Sequence, residues 1–540
     1  MPSCKDAAAG AGLLAVTLAG FLLSYHAHFR GGWTFEFCHY AEIASNILGG
    51  KGLATNTFWP CELATLERAD PAIALPDAGP VVARFPLYAY WSALWMAIGR
   101  GDFGMALGNG VAHGLWVILI YAIGLALFSR RAALLAAALW AVHPMMSGAF
   151  DLSGHPDVLF GVIFGALSFL FWRSLQGRGT RAAFEGLGLG VLAGAALLAR
   201  TSFSVWLPLF LALPPILKGR AGWRISAQFL LGFGAVSIPY SLYYLRHVGT
   251  LSAPLLLWNL AQGVLVPGLP WMEYRTYSFS DFLHAAVLQA LFYKAFSNFN
   301  LALKDIPQLW SLHVALPFAA AGMMARQERD PGLAGWLLAL LGWQLAVFSF
   351  LRYDNRYYLW FAPFILLYAV GFLESKSAIK AWRLGGGLAL VLLASSWLAL
   401  SLSLRYAEYP VHPSGLPIKD WPELEYLRHS TPETAGIVTN IPAQVAWYCR
   451  RRTYNITNRP EDLPRLLARW PADYLLISRN RIGELPHYPA WTALLNDRPR
   501  LERTGVLPGF RLEKAFDDGD LFVRTPCDPR IPDRPSAGVR

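Results

Sequence analysis

Glu36, His39 and Tyr40 bring a carboxylate, an imidazole and a phenol together within five residues, just beyond the first long apolar run. A carboxylate beside a membrane cavity can take the proton from an acceptor hydroxyl or amine that comes within hydrogen-bond reach. A lone acid is a weak signal, because it reads equally as a solvated loop charge or as a first-turn charge stabilised by a helix dipole. Farther along, Arg84-Phe85-Pro86-Leu87-Tyr88 sets a guanidinium at the head of an aromatic, apolar helix. There it can pair bidentately with a phosphate, or simply anchor that helix to headgroups.

Asp151, His155 and Asp157 crowd a short turn, GAFDLSGHPDVLF, between two apolar runs. Three ionisable groups so close to lipid are costly unless they face a wet cavity, so the turn is a candidate for positioning substrate hydroxyls. The duller alternatives are a hydrogen-bonded turn histidine at His155 and a helix cap at Asp157. A divalent cation is conceivable there, but no dense ligand motif accompanies the turn, and neither a metal nor another cofactor is expected. Arg200, and Arg352 and Arg356 in the run RYDNRYY, end further apolar runs with cations. Clustered guanidinium groups suit a phosphate leaving group. An ion-pair network around Asp354 explains Arg352 and Arg356 equally well.

The elements that carry these residues follow from composition. Of 540 residues 55% are hydrophobic and only 15% charged, against about a quarter charged in a soluble globular chain. A bilayer core needs about 20 apolar residues per helix, which gives about eleven spans. They lie near 9–28, 104–128, 132–149, 157–173, 184–200, 203–217, 226–245, 308–325, 332–350, 357–373 and 384–405. The opening run lacks a clear cleavage site and is expected to be a retained first span. The net charge of +11 gathers in the short breaks between runs, such as Arg130–Arg131, Lys218/Arg220/Arg224 and Lys376/Lys380/Arg383. That is a positive-inside pattern and needs no nucleic-acid partner. With the N-terminus cytoplasmic it puts the long loops 29–103 and 246–307 on the exoplasmic face. Phe85–Gly99 is short and rich in Tyr and Trp, and predicts a helix lying at the interface.

From about Arg405 the texture becomes that of a small soluble α/β domain, 406–527, with a disordered tail over 528–540. The membrane domain is 1–405. The five cysteines show no metal-ligand spacing; Cys38 and Cys61, and Cys449 and Cys527, either bridge or stay unpaired. Walker, Rossmann, HExxH and GxSxG signatures are missing, as is a nucleotide-sugar DxD in a cytoplasmic domain. The donor therefore need not be a nucleotide.

Taken together these stretches resemble the lipid-carrier-dependent glycosyltransferases of the GT-C fold. Within it they are similar to the superfamily of protein O-mannosyltransferases and lipid A aminoarabinose transferases. The resemblance rests on Glu36-Phe37-Cys38-His39-Tyr40-Ala41-Glu42-Ile43-Ala44-Ser45-Asn46, where Glu36 falls on the family's catalytic Asp and Phe37 replaces a second acid. It rests also on Arg84-Phe85-Pro86-Leu87-Tyr88, on His143-Pro144 and the acidic turn, on the Leu-Ala-Arg end at Arg200, on RYDNRY, and on Trp447-Tyr448 in the tail. Asn56–Val81 looks like an insertion between the first two motifs.

The resemblance implies an all-α polytopic GT-C domain with a small C-terminal α/β domain, carrying out inverting glycosyl transfer. The implied partners are a polyprenyl-phosphate sugar, membrane lipids and an acceptor glycan, lipid or protein. Glu36 is the implied general base. Arg84, Arg200, Arg352 and Arg356 are the implied donor-phosphate ligands, and His39, Tyr40, Tyr88, Asp151, His155 and Asp157 the substrate contacts. The implied location is the bacterial inner membrane, with the C-terminal domain periplasmic. A transporter or flippase, and a surface-polysaccharide polymerase or ligase, are the rival readings.

Overall fold

In the computed structural model the described residues are 4–75, 78–177, 184–251, 254–305, 314–327, 331–375, 416–479 and 510–524, with a few isolated positions between them. Chain order begins with α1 (Cys4–His28), α2 (Phe35–Leu48), the short strands β1 (Ala54–Thr55) and β2 (Thr57–Phe58), α3 (Pro60–Ala69) and β3 (Gly79–Pro80). There follow α4 (Pro86–Gly99), α5 (Gly101–Leu127), α6 (Arg130–Ala141), the single turn α7 (Asp151–Ser153), α8 (Asp157–Leu175), α9 (Glu185–Ala199), α10 (Leu207–Lys218) and α11 (Arg220–Val248). Next come α12 (Leu255–Ala261), α13 (Ala285–Asp305), α14 (Ala315–Gln327), α15 (Pro331–Phe348) and α16 (Ala362–Ser375).

Among the described residues six helical stretches are long and apolar enough to cross a membrane: Cys4–His28, Gly101–Leu127, Asp157–Leu175, Thr201–Lys218, Arg220–Val248 and Arg356–Ser375. The expected spans at 184–200, 308–325 and 332–350 form shorter apolar helices, Glu185–Ala199, Ala315–Ala325 and Gly332–Phe348. The run expected over 132–149 is divided. α6 stops at Ala141, and after His143-Pro144 the chain continues as a π-helical turn over Met145–Phe150. Proline removes a backbone donor and crowds the preceding turn, which is why a single straight helix does not form. Nearly all of 384–405 lies outside the described residues, as do 406–415 and 525–540.

Close helix contacts use small residues, since tails and leucines are alike to a lipid and packing must supply the association. α9 and α11 cross at Gly190 and Gly232, where a Cβ would overlap the Phe229 and Leu187 carbonyls of the facing helix. Two of the basic breaks are tied down by polar contacts. Arg130 reaches Asp6 at 3.2 Å and the Lys5 carbonyl at 2.7 Å, and Lys218 donates to the Ser174 carbonyl at 2.6 Å. α4 turns back on α5 and leaves Tyr90, Leu94 and Ile98 exposed at successive i+4 positions, the apolar stripe expected of a helix lying at an interface.

The C-terminal region is a six-stranded sheet in the order β2-β5-β4-β6-β8-β7, adding β4 (Gly436–Thr439), β5 (Arg452–Asn455), β6 (Tyr474–Ser478), β7 (Phe510–Phe516) and β8 (Gly519–Arg524). β2, β5, β4 and β6 run parallel and the β7–β8 hairpin closes one edge antiparallel. The other edge is β2, donated by the first long loop, with Thr57 opposite Thr453 and Phe58 opposite Tyr454. The insertion foreseen over Asn56–Val81 thus supplies one edge strand of the C-terminal sheet, while its far end, β3, pairs with β1. Cys38 and Cys61 are buried and unbridged, and the Cys38 thiol donates to the Gly32 carbonyl at 2.9 Å. Cys449 is also free, and Cys527 lies outside the described residues.

Candidate active site

Thr34 decides where Glu36 sits. Its side chain caps α2 by accepting from the Phe37 N–H at 2.9 Å, so Glu36 falls in the first turn, where the helix dipole favours a carboxylate. The same hydroxyl donates to the Ser153 carbonyl. Gly154, at φ +67°, presses against Phe37 so closely that a Cβ would lie 2.7 Å from the Phe37 Cα. These contacts fix the acidic turn to the head of α2.

His155 and Glu36 are thereby brought to one cation. Arg356 Nη1 lies 3.6 Å from Glu36 Oε1 and donates to His155 Nδ1 at 2.8 Å. Its Nη2 meets Asp354 Oδ2 at 2.7 Å, and its Nε lies 3.0 and 3.1 Å from the two Asp354 oxygens. Asp354 also caps the Arg356 N–H at 3.0 Å, so the guanidinium is held like a fork in a vice. The Glu36 side chain remains 28% exposed. Since a guanidinium only donates, His155 Nδ1 accepts and the imidazole is neutral. Burial, then the Arg356 charge, lowers the His155 pKa to about 4. Burial alone would raise the Glu36 carboxyl, but His155 and the Arg356 and Arg84 charges reverse this and hold it well below the usual carboxylate range. At neutral pH, with His155 uncharged, the two arginines carry that effect.

Asp157 pairs with Arg200 inside the protein, and the Arg200 guanidinium lies 4.7 Å from the ring centre of Tyr357 and 5.7 Å from that of Trp360. Asp157 Oδ2 is buried without a hydrogen-bond partner among the described residues. Arg84, 8% exposed, lies 5.0 Å from Phe35, 5.7 Å from Tyr40 and 4.9 Å from Trp59 ring centres. Its Nε donates to His39 Nδ1 at 3.0 Å. The Tyr40 hydroxyl accepts from the Phe85 N–H at 3.3 Å.

Other sequence candidates are engaged elsewhere. Asp151 is fully buried and pairs with His113 of α5 at 3.0 Å, and Tyr88 donates to Asn109 at 2.8 Å. Arg352 stacks over Trp271 at 5.1 Å. Conversely Glu42, Thr55 and Asn46 form a hydrogen-bonded group behind His39 that sequence reasoning did not single out. The one clue was the i,i+4 spacing of Glu42 and Asn46, which a helix turns into a contact. Among the described residues there is no group of three or more His, Cys, Asp or Glu placed to hold a metal ion.

Membrane-length apolar helices with an acid–arginine cluster around the first loop define a class: this is a multi-pass membrane protein with the GT-C glycosyltransferase fold. Residues 80–241, from just before Arg84 to beyond Arg200, match the family model described as dolichyl-phosphate-mannose-protein mannosyltransferase. That match covers less than a third of the chain. Among solved structures it is similar to ArnT from Cupriavidus metallidurans bound to undecaprenyl phosphate, at 14% identity and TM-score 0.54, covering 94% of this chain and 97% of that one. It is also similar to the Archaeoglobus fulgidus oligosaccharyltransferase tethered to an acceptor peptide, at 14% identity and TM-score 0.51, covering 86% of this chain and 69% of that one. No curated protein sequence matches the chain.

Proposed function

We propose that this protein transfers a sugar from a polyprenyl-phosphate donor to an acceptor on the exoplasmic face of a bacterial inner membrane, with inversion at the anomeric carbon. The observation that carries the reading is the partly exposed Glu36 carboxylate at 3.6 Å from Arg356, with Arg84 acting on the same carboxylate through its charge. Glu36 takes the proton from the acceptor hydroxyl or amine as that atom attacks the anomeric carbon. The bond from that carbon to the phosphate oxygen breaks, and polyprenyl phosphate leaves with its charge already faced by Arg84, Arg356 and Arg200. Fixed cations at the point where charge develops need no reorganisation during reaction.

The arginines also tune the base. A carboxylate held far below its usual range is a weak proton acceptor. An incoming phosphate offsets the arginine charge and lifts the Glu36 pKa, so base strength grows once the donor is in place. The acceptor, whether glycan, lipid or protein, is the open side of the reaction. His39, Tyr40, Tyr88, Asp151, His155 and Asp157 hold this arrangement in shape or contact substrate. The basic break at Arg130, lying against Lys5 and Asp6, fits a cytoplasmic N-terminus, with Glu36 and the C-terminal sheet at the opposite face.

Glu36→Gln keeps the side chain's length and removes the base. Turnover of an undecaprenyl-phosphate sugar by the purified variant is expected to fall by roughly 10²–10⁴, with undecaprenyl phosphate still bound. Turnover within about threefold of wild type would remove the general-base assignment.

A further inference from the structure

Behind Arg84 runs a chain of hydrogen bonds whose direction can be worked out atom by atom. Thr55 Oγ1 accepts from the Thr57 N–H at 3.0 Å and lies 3.0 Å from His39 Nε2. Arg84 Nε donates to His39 Nδ1, so the imidazole proton sits on Nε2 and is given to Thr55. Both lone pairs of the Thr55 hydroxyl are then taken, and its own proton goes to Glu42 Oε2 at 2.8 Å. Glu42 is an acceptor on its other side as well, because Oε1 receives the Asn56 N–H at 2.8 Å and the Asn46 amide at 2.6 Å. Glu42 is 1% exposed and His39 1%. Arg84 Nη2 is left buried without a hydrogen-bond partner among the described residues.

We infer that Glu42, Thr55 and His39 form a one-way relay that fixes the roll of the Arg84 guanidinium, so that its unpartnered Nη2 edge is presented to the phosphate of the lipid donor. The inference rests on the donor reading above. Glu42 sets the polarity, because its carboxylate at 2.8 Å, a closer acceptor than the Thr57 carbonyl at 3.3 Å, draws the Thr55 proton away from His39. Burial, and next the Arg84 charge, hold His39 well below the usual imidazole range, so it stays a neutral acceptor toward Arg84. The three are positioning residues. None needs to touch substrate, and Thr55 and Asn56 stand directly before the strand that joins the C-terminal sheet.

The relay makes two substitutions of nearly unchanged shape informative. Thr55→Val breaks the chain, and Thr55→Ser restores it. In Glu42→Gln the fixed Asn56 N–H claims the amide oxygen, so the amide nitrogen faces Thr55. The Thr55 proton is then left to the Thr57 carbonyl at 3.3 Å or to His39, and in the second case His39 Nδ1–H confronts Arg84 Nε–H.

The test is binding of undecaprenyl phosphate to the full-length purified protein in detergent, with melting temperature followed in parallel. Thr55→Val and Glu42→Gln are each expected to weaken binding roughly tenfold, Thr55→Ser to return it to within about twofold, and either change to add nothing in an Arg84→Ala background. Unchanged affinity in both variants, or an equal loss with and without Arg84, overturns the relay while leaving the donor reading intact. Failure of the wild-type protein to bind undecaprenyl phosphate overturns the donor reading and the relay with it. Should Thr55→Val not fold, Glu42→Gln carries the same comparison.

Discussion

His155 is where charge regulation in this site is most exposed to pH. Its pKa is lowered to about 4, by burial first and the Arg356 charge second, whereas in an unfolded chain it titrates near 6.5. The native state therefore prefers the neutral imidazole, and stability is lost progressively as pH falls from about 6.5 toward about 4. Glu36 is depressed instead, so its contribution persists through that window and is lost only at lower pH. Thermal melts of the wild type against His155→Gln are expected to show a steeper acid slope for the wild type over that range. Parallel slopes would mean that other groups set the acid sensitivity. At this scale the sequence showed the residues that end apolar runs, because a charge next to lipid stands out: Glu36, Arg84, Asp157, Arg200 and Arg356. Glu42 and Thr55 were hidden, since neither has a chemical neighbour until the loop after α2 folds back. Asp151 was conspicuous for the same reason as Asp157, yet its partner His113 lies 38 positions away, beyond what spacing can reveal.

Among elements, the helix Pro442–Cys449 fastens the C-terminal region to the membrane bundle. Trp447 Nε1 and the Tyr448 hydroxyl both donate to the Asp102 carboxylate, at 2.7 and 2.9 Å, and the Tyr448 oxygen accepts from the Gly32 N–H at 2.6 Å. Removing the shared acceptor by Asp102→Ala leaves two donors to find new partners, at a cost of about 1–3 kcal/mol for such buried groups. Hydrogen exchange is expected to quicken in Pro442–Cys449 before it does in β4 and β6; equal exchange in the variant and wild type would show that other contacts hold this helix. Helix periodicity made the spans and α4 legible. It did not foresee the π-helical turn after Pro144, where the proline interrupts an otherwise continuous apolar run, nor strands of two residues such as β1 and β2, which are too short to show any alternation.

For the whole molecule, the expected division into a membrane domain and a separate C-terminal domain misses how they share a sheet. β2 has β5 as its neighbour, and the Thr453 N–H donates to the Asn56 carbonyl at 2.7 Å. A chain ending at residue 415 is expected to insert into membranes yet bind undecaprenyl phosphate at least tenfold more weakly, because the loop bearing Thr55 loses its neighbour. Wild-type affinity in that truncation would show that the loop orders itself.

The pairing of Asn56 with Thr453 joins positions 397 residues apart. A ribosome working at roughly 5–20 residues per second needs on the order of 20–80 s to bridge that distance. For that interval the nascent protein already has its first spans in the bilayer but lacks the partner that sets its first loop. Translation thus acts as a timer, and the first loop gains its neighbouring strand only after Thr453 has been made.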